Sequence, residues 1–149
     1  MKNFVYTAGP IEDCTVEEMT GWRQRAASYL GERNILVKDP TRRLSFHVQL
    51  GDKDLVQEKF KDRSLNISKR IFKQDLEDIH MSKVVLADVR RSAGKGTGTA
   101  CELMFAHMNN KIIILWQDKD DYPHPFLTAM ATEIHYDLEC ALAAVRSYF

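Results

Sequence analysis

The chain has 149 residues, of which 44% are hydrophobic and 28% are charged. This length and composition are typical of one globular domain with a sizeable core, so we expect a single domain over residues 1–149. The 21 basic and 21 acidic residues give a formal net charge of zero, which argues against a nucleic acid polymer or a membrane surface as a partner.

The three cysteines, Cys14, Cys101 and Cys140, are scattered, and no CxxC pair occurs among them. No apolar run is long enough to cross a membrane, and no signal peptide precedes the first predicted strand. We therefore predict a cytoplasmic protein. No group of His, Cys and acidic residues has zinc-ligand spacing, so we predict neither a metal nor a cofactor.

Strand and helix patterns alternate along the chain. Short apolar runs predict five strands, over residues 3–8, 34–37, 83–89, 111–116 and 132–136. Helical spacing predicts helices over 15–30, 66–80 and 126–131, one after the glycine-rich stretch 94–99 and one capped by Asp137. In the first helix, Thr15 and Glu18 have the spacing of a capping box. Residues 41–65 predict a long loop with one short helix, as in lids and binding loops.

This alternation indicates an α/β fold, a three-layer sandwich around a five-stranded parallel sheet with right-handed crossovers. We predict the strand order 2-1-3-4-5, as in flavodoxin-like and Rossmann-like sheets. Ligands then bind where the strand order reverses, beyond the carboxyl ends of strands one and three.

Glu102 follows the glycine-rich stretch and is predicted to lie in the first turn of a helix. Free backbone N–H groups and the helix dipole would keep its carboxylate ionised there. Two interpretations remain open: a nucleophile or general base in a cleft, or the capping-box partner of an N-cap Thr99. The stretch itself is no Walker motif, because no Gly-Lys-Ser/Thr sequence closes it.

The predicted strand order places residues 6–10 and 88–99 on opposite sides of one crevice, and Asp75 precedes strand three. Two acids, a tyrosine and a rim of threonine and glycine suit chemistry at the anomeric carbon of a sugar. Each residue also has a simpler explanation: Tyr6 as a strand residue, Asp75 as a solvated helix acid and Asp88 as the end of its strand.

The sequence resembles the nucleoside 2-deoxyribosyltransferase family in the order and spacing of several segments over nearly the whole chain. They are VYTAGPI at 5–11, Asp75 with SKVVLAD at 82–88, and GTACELMFA at 98–106. Small phage-encoded members are also similar in DPTR at 39–42 and HPF at 124–126. The superfamily includes base-exchanging transferases and N-glycosidases that act on deoxynucleoside 5′-monophosphates and on hydroxymethyl-CMP.

This resemblance implies that Glu102 is a nucleophile forming a glycosyl ester at C1′, with Asp75 holding or protonating the base and Tyr6 orienting Glu102. It also implies that Thr128 reaches the sugar of a neighbouring subunit, in a homodimer or larger homo-oligomer. Further substrate-binding residues are expected at Gly9, Pro10, Asp88, Gly98 and Thr99.

Two positions depart from the family pattern. Gly96 stands where transferases have an acid and monophosphate hydrolases a serine, and Glu12 stands where the hydrolases have an arginine for phosphate. The base and the 5′ group of the substrate therefore stay open.

We expect an enzyme that cleaves the N-glycosidic bond of a 2′-deoxynucleoside or its 5′-monophosphate and passes the deoxyribosyl group to another base or to water. The alternative is a non-catalytic nucleotide-binding or sensing module on the same fold. A flavodoxin-like electron carrier or a receiver domain is disfavoured, because residues 9–12 form neither a Ser/Thr phosphate loop nor an acidic cluster.

Overall fold

The computed structural model describes residues 3–43, 65–91 and 96–149. A sheet lies between two layers of helices. Its strands, in chain order, are β1 Asn3–Ala8, β2 Ile35–Lys38, β3 Val84–Asp88, β4 Ile112–Trp116 and β5 Glu133–His135. The helices are α1 Val16–Gly31, α2 Leu65–Met81, α3 Thr97–Met108, α4 Pro125–Met130 and α5 Leu138–Ser147, and a 3₁₀ turn covers Pro40–Arg43.

All four strand pairings in the sheet are parallel, and the strand order is β2-β1-β3-β4-β5. Both the predicted fold class and the predicted order are confirmed. The strand order reverses between β1 and β3, whose registers pair Tyr6 with Val85 and Ala8 with Ala87. The carboxyl ends of these two strands therefore border the crevice where ligands bind in open α/β sheets.

Successive side chains of each strand enter opposite hydrophobic layers, as a sheet covered on both faces requires. One layer joins the sheet to α1 and α5 and contains Val5, Leu86 and Ile114. The other joins it to α2, α3 and α4 and contains Tyr6, Ala87 and Leu115. The continuous apolar runs of the central strands follow from this burial on both sides.

Side-chain caps fix the start of two helices as the sequence predicted. The hydroxyl of Thr15 accepts from the backbone N–H of Glu18 at 3.1 Å, and the backbone N–H of Thr15 donates to Glu18 Oε2 at 2.7 Å. Asp137 caps α5 by accepting from the N–H of Cys140 at 3.1 Å. Each cap satisfies N–H groups that have no partner within the helix.

The predicted start of α3 is wrong. Gly96 is its N-cap, and the carbonyl of Gly96 accepts from the N–H of Ala100 at 2.9 Å, which makes Thr97 the first helical residue. Gly98 and Thr99 are therefore part of the first helical turn rather than of a loop. A capping box of Thr99 and Glu102 is excluded, because Thr99 lies inside the helix.

The loop and short helix predicted over 41–65 lie largely outside the described residues, which include from this region only residues 41–43 of the 3₁₀ turn and Leu65, the first residue of α2. Part of the glycine-rich stretch, residues 92–95, also lies outside them. Among the helices that are described, none is long and apolar enough to cross a membrane.

Candidate functional site

Tyr6 and Glu102 are in direct contact beside the switch crevice. Tyr6 lies in the middle of β1, is fully buried, and faces the layer of α2 and α3. Its hydroxyl donates to Glu102 Oε1 at 2.8 Å. Because β1 is a central strand and α3 packs against it, both partners are held by regular structure rather than by loops.

The position of Glu102 differs from the predicted one. It is the sixth residue of α3, so its carboxylate is not beside the free N–H groups of the first turn. Burial raises the pKa of Glu102 to about 7. The hydrogen bond from Tyr6 opposes this shift, the charge of Asp75 adds to it, and the charge of Arg23 opposes it. The expectation that the helix N-terminus keeps this carboxylate ionised is therefore wrong, because Glu102 lies beyond the first turn and burial raises its pKa.

Tyr6 remains a neutral hydrogen-bond donor. Burial raises the pKa of Tyr6 far above its ordinary value, and the negative charges of Glu102 and Asp75 raise it further. A phenolate beside two carboxylates would be strongly destabilised. The hydroxyl can therefore hold the carboxylate of Glu102 in one orientation at any pH near neutrality.

Asp75 is the second acid of the site. It is the eleventh residue of α2 and is partly exposed. Its charge raises the pKa of both Tyr6 and Glu102. The structure thus brings together the three residues that the sequence assigned to catalysis, one from β1, one from α2 and one from α3.

The loop after β1 passes close to its neighbours. A Cβ atom added to Gly9 would lie 3.1 Å from Trp22 Cζ2 and 3.3 Å from Asp88 Cβ, so only glycine fits there without a shift. A Cβ atom on Gly96 would lie 3.8 Å from Pro10 Cγ. The loop after β1 and the start of α3 therefore face each other across the crevice, as the strand order predicted.

The threonine and glycine of the predicted rim lie in the first turn of α3. Thr99 is buried, and a Cβ atom on Gly96 would lie 3.2 Å from Thr99 Cβ. Gly98 is exposed, and a Cβ atom added to it would have no neighbour within 4 Å. Of the two residues, Gly98 leaves the more open surface beside the crevice.

Asp88 lies apart from the Tyr6–Glu102 pair. It ends β3 with its side chain directed to the α1 and α5 layer, next to Gly9. Its carboxylate is buried and accepts two hydrogen bonds from the guanidinium of Arg90, each at 2.9 Å. Arg90 in turn stacks on the Trp116 ring at 3.6 Å. In this arrangement the charge of Asp88 is paired with that of Arg90, and Asp88 borders the crevice from the other face of the sheet.

Thr128 is exposed on α4, which packs against α3. Among the described residues no hydrogen bond joins Thr128 to Tyr6 or Glu102. Within residues 3–43, 65–91 and 96–149, no three His, Cys, Asp or Glu side chains are grouped closely enough to hold a metal ion.

Arg23 is a site residue that the sequence interpretation missed. It is fully buried, and its Nη2 donates to the carbonyl of Gly9 at 3.0 Å. Its charge lowers the pKa of both Tyr6 and Glu102. Its position on α1 was a signal that the sequence offered. Arg23 lies four residues after Met19 and seven before Leu30, so it falls on the apolar face of the helix, where an unpaired cation is rare.

Neither a protein-family model nor a curated protein sequence matches the chain. Solved structures do match it. A 2-deoxyribosyltransferase from the psychrotolerant bacterium Bacillus psychrosaccharolyticus superposes with a TM-score of 0.69 at 20% identity, over 95% of each chain. The chain shares the fold of that protein.

Two further structures with this fold have different names. A CMP N-glycosidase from Clostridium botulinum superposes with a TM-score of 0.58 at 14% identity, over 96% of this chain and 98% of the other. The Moco carrier protein of Chlamydomonas reinhardtii gives 0.57 at 18% identity, over 99% of this chain and 97% of the other. The structural neighbours thus include the family that the sequence resembles, and the fold itself is common to enzymes and to a carrier.

Proposed function

We propose that the protein cleaves the N-glycosidic bond of a 2′-deoxynucleoside or its 5′-monophosphate and passes the deoxyribosyl group to another base or to water. The observation that best supports this proposal is the 2.8 Å hydrogen bond from Tyr6 to Glu102. It lies next to the charge of Asp75, at the edge of the sheet where ligands bind. A transferase and an N-glycosidase share the fold.

In the first step an oxygen of ionised Glu102 attacks C1′ of the sugar. The C1′–N bond breaks, its electron pair moves to the base nitrogen, and a glycosyl ester of Glu102 forms. Tyr6 directs the attacking carboxylate. Asp75 holds the departing base, which takes up a proton from solvent and leaves as a neutral molecule.

In the second step a water molecule or a nitrogen of a second base attacks C1′. The ester bond breaks and its electrons return to Glu102, which leaves the enzyme as it began. Asp75 accepts the proton that the acceptor loses and releases it to solvent. Two displacements at one carbon give net retention of configuration, as in retaining glycosidases.

The electrostatics of the site support this chemistry. With a pKa of about 7, Glu102 is ionised in a substantial fraction of molecules at neutral pH, and its partial desolvation makes the carboxylate a better nucleophile than one in water. The neutral Tyr6 hydroxyl stabilises the carboxylate each time it is released from the ester.

The test is incubation of the protein with each deoxynucleoside and each deoxynucleoside 5′-monophosphate, with and without a second free base, followed by chromatography. Free base from the substrate alone indicates hydrolysis, and a new nucleoside indicates transfer. Acid quenching during turnover and intact mass measurement should show a protein heavier by one deoxyribosyl unit. If no substrate yields free base or a new nucleoside, the proposed enzymatic activity is refuted.

A carrier or binding module is the second candidate, favoured by the likeness to the Moco carrier protein. In that case calorimetric titration with the same compounds shows saturable binding while chromatography shows no conversion. In a binding module, Glu102→Gln would change only the affinity for the ligand, whereas in an enzyme it would stop product formation.

A further inference from the structure

Arg23 is a buried cation whose contacts join three elements at the carboxyl edge of the sheet. On its own helix it donates to the carbonyl of Met19, and across the loop after β1 it donates to the carbonyl of Gly9 at 3.0 Å. Its Nε lies 3.7 Å from Asp39 Oδ1, in the segment after β2. The side chain is 0% exposed, so none of its charge is solvated by bulk water.

Such burial needs a compensating reason, because removing a guanidinium from water costs several kcal/mol unless its donors and its charge find partners. The Nε atom has no hydrogen-bond partner. Asp39 does not fill that role, since its Oδ1 already accepts from the N–H and the hydroxyl of Thr41 at 2.8 and 2.7 Å. The local ion pair alone therefore does not explain the placement of Arg23.

Several ionisable groups from separate elements lie near Arg23. They are Tyr6 on β1, Cys14 before α1, Asp39 after β2, Asp88 on β3 and Glu102 on α3. Among them Asp88 is bound by Arg90 and Asp39 by Thr41, while Glu102 has only the Tyr6 hydroxyl as a hydrogen-bond partner among the described residues. Asp75 on α2 faces Glu102 with a like charge.

We propose that Arg23 is a positioning residue that fixes the loop after β1 through the carbonyl of Gly9 and supplies the buried positive charge that offsets the carboxylates around Tyr6. Its catalytic consequence rests on the proposed function, because it acts through Glu102 and the crevice loop rather than on the substrate. Removing the cation takes away a charge that lowers the pKa of Glu102 while the charge of Asp75 still raises it, which disfavours the ionised nucleophile.

The charge role is tested by nuclear magnetic resonance on protein labelled with ¹³C at the glutamate carboxyl carbons, the Glu102 signal being assigned by its loss in Glu102→Gln. Arg23→Gln should raise the titration midpoint of Glu102 by about one pH unit. Arg25→Gln is the matched control: it removes an exposed arginine of the same helix that pairs with Glu139 at 2.7 Å, and the midpoint should not move. Arg23→Lys keeps the charge and should keep the wild-type midpoint.

A folded Arg23→Gln protein with an unchanged Glu102 midpoint overturns the charge role. If Arg23→Gln does not fold, Arg23→Lys tests the charge role instead. A Glu102 midpoint displaced by about one pH unit or more, although the positive charge is retained, contradicts that role. The loop role is read from amide hydrogen exchange over residues 9–14, which should be faster in Arg23→Gln and unchanged in Arg25→Gln. Equal exchange in both overturns it.

These readouts need no turnover. A protein without glycosidase activity would refute the proposed function and leave the Arg23 result standing. In an active enzyme, the acid limb of the kcat/KM profile of Arg23→Gln should move upward together with the Glu102 midpoint.

Discussion

The hydroxyl of Tyr6 and the carboxylate of Glu102 meet at 2.8 Å although the two residues are 96 positions apart in the chain. Tyr6 is fixed by strand pairing on both sides of β1, and Glu102 by a helix that packs on the same sheet. This preorganisation matters because a nucleophile contributes most when its orientation is set before the substrate binds.

Glu102→Gln should lower the rate of glycosidic cleavage by roughly a thousandfold or more, because an amide cannot form the glycosyl ester. The side chains are nearly equal in size, so the fold should be retained. Glu17→Gln, at an exposed position of α1, is the control and should keep wild-type activity. Turnover by Glu102→Gln within tenfold of wild type would remove Glu102 from the role of nucleophile.

The raised pKa of Glu102 predicts a specific dependence of stability on pH. Below the ordinary pKa of 4.5, the folded and unfolded chains both carry the proton and the group contributes nothing. Between 4.5 and about 7 the unfolded chain loses the proton while the folded chain keeps it, so stability falls as the pH rises. Above about 7 the loss is complete and amounts to about 3 kcal/mol.

Denaturant unfolding of wild type and Glu102→Gln at pH 5 and pH 8 measures this contribution. The wild type should lose about 2.5 kcal/mol more than the variant between the two values, because a small part of the full loss has already occurred at pH 5 and all other groups titrate alike in both proteins. Equal losses would mean that Glu102 is ionised in the fold at its ordinary pKa.

The rate should depend on pH through the same group. Since only ionised Glu102 attacks, kcat/KM should fall about tenfold per unit below pH 7. Asp75→Asn removes a like charge and should move this acid limb downward. Tyr6→Phe removes a hydrogen bond that favours the carboxylate and should move it upward.

The two substitutions should shift the acid limb in opposite directions. pH profiles of kcat/KM on one substrate measure both shifts. A general loss of activity without a shift of the limb in either variant would show that the limb belongs to another group.

Much of the fold was predictable from local signals. Buried strands carry branched apolar runs, and Thr15 with Glu18 forms the capping box that their spacing indicated. The start of α3 was not predictable in this way, since Gly96 caps the helix without a side-chain hydrogen bond. Two threonines and a glycine after it matched a loop and a helix equally well.

The ionisation of Glu102 and the role of Arg23 depend on tertiary burial. The pKa of a carboxyl group is decided by how much water its folded environment leaves and by charges from distant elements, none of which is visible in local spacing. An arginine on an apolar helix face can be a solvated edge residue or a buried cation, and only the packing of Gly9 and Trp22 around Arg23 distinguishes the two.

A 2′-deoxy sugar should be preferred over ribose. The carboxylate that attacks C1′ must lie close to C2′, where a hydroxyl would crowd it or form a competing hydrogen bond with Glu102. Rates for matched ribo- and deoxyribo-substrates measure the preference, which we expect to be tenfold or more, as one misplaced polar group in a fitted site commonly causes. Equal rates would leave a general N-glycosidase.

Thr128 is expected to complete the active site of a second subunit. It is exposed on α4, which follows β4, and β4 lies two strands from β1, roughly 10 Å across the sheet. From that spacing we expect Thr128 not to close the crevice of its own chain. A symmetric dimer with self-complementary faces would bring it to the crevice of the other chain.

Mixing tests this directly. Glu102→Gln chains and Thr128→Trp chains should each be inactive, and after subunit exchange the mixture should recover about a quarter of wild-type activity, because half of the dimers are mixed and one of their two sites is intact. Thr128→Ser is the control that keeps the hydroxyl, and it should stay active alone. A mixture that stays inactive after proven exchange, or an active protein that sediments as a monomer, would return Thr128 to an ordinary surface position on α4.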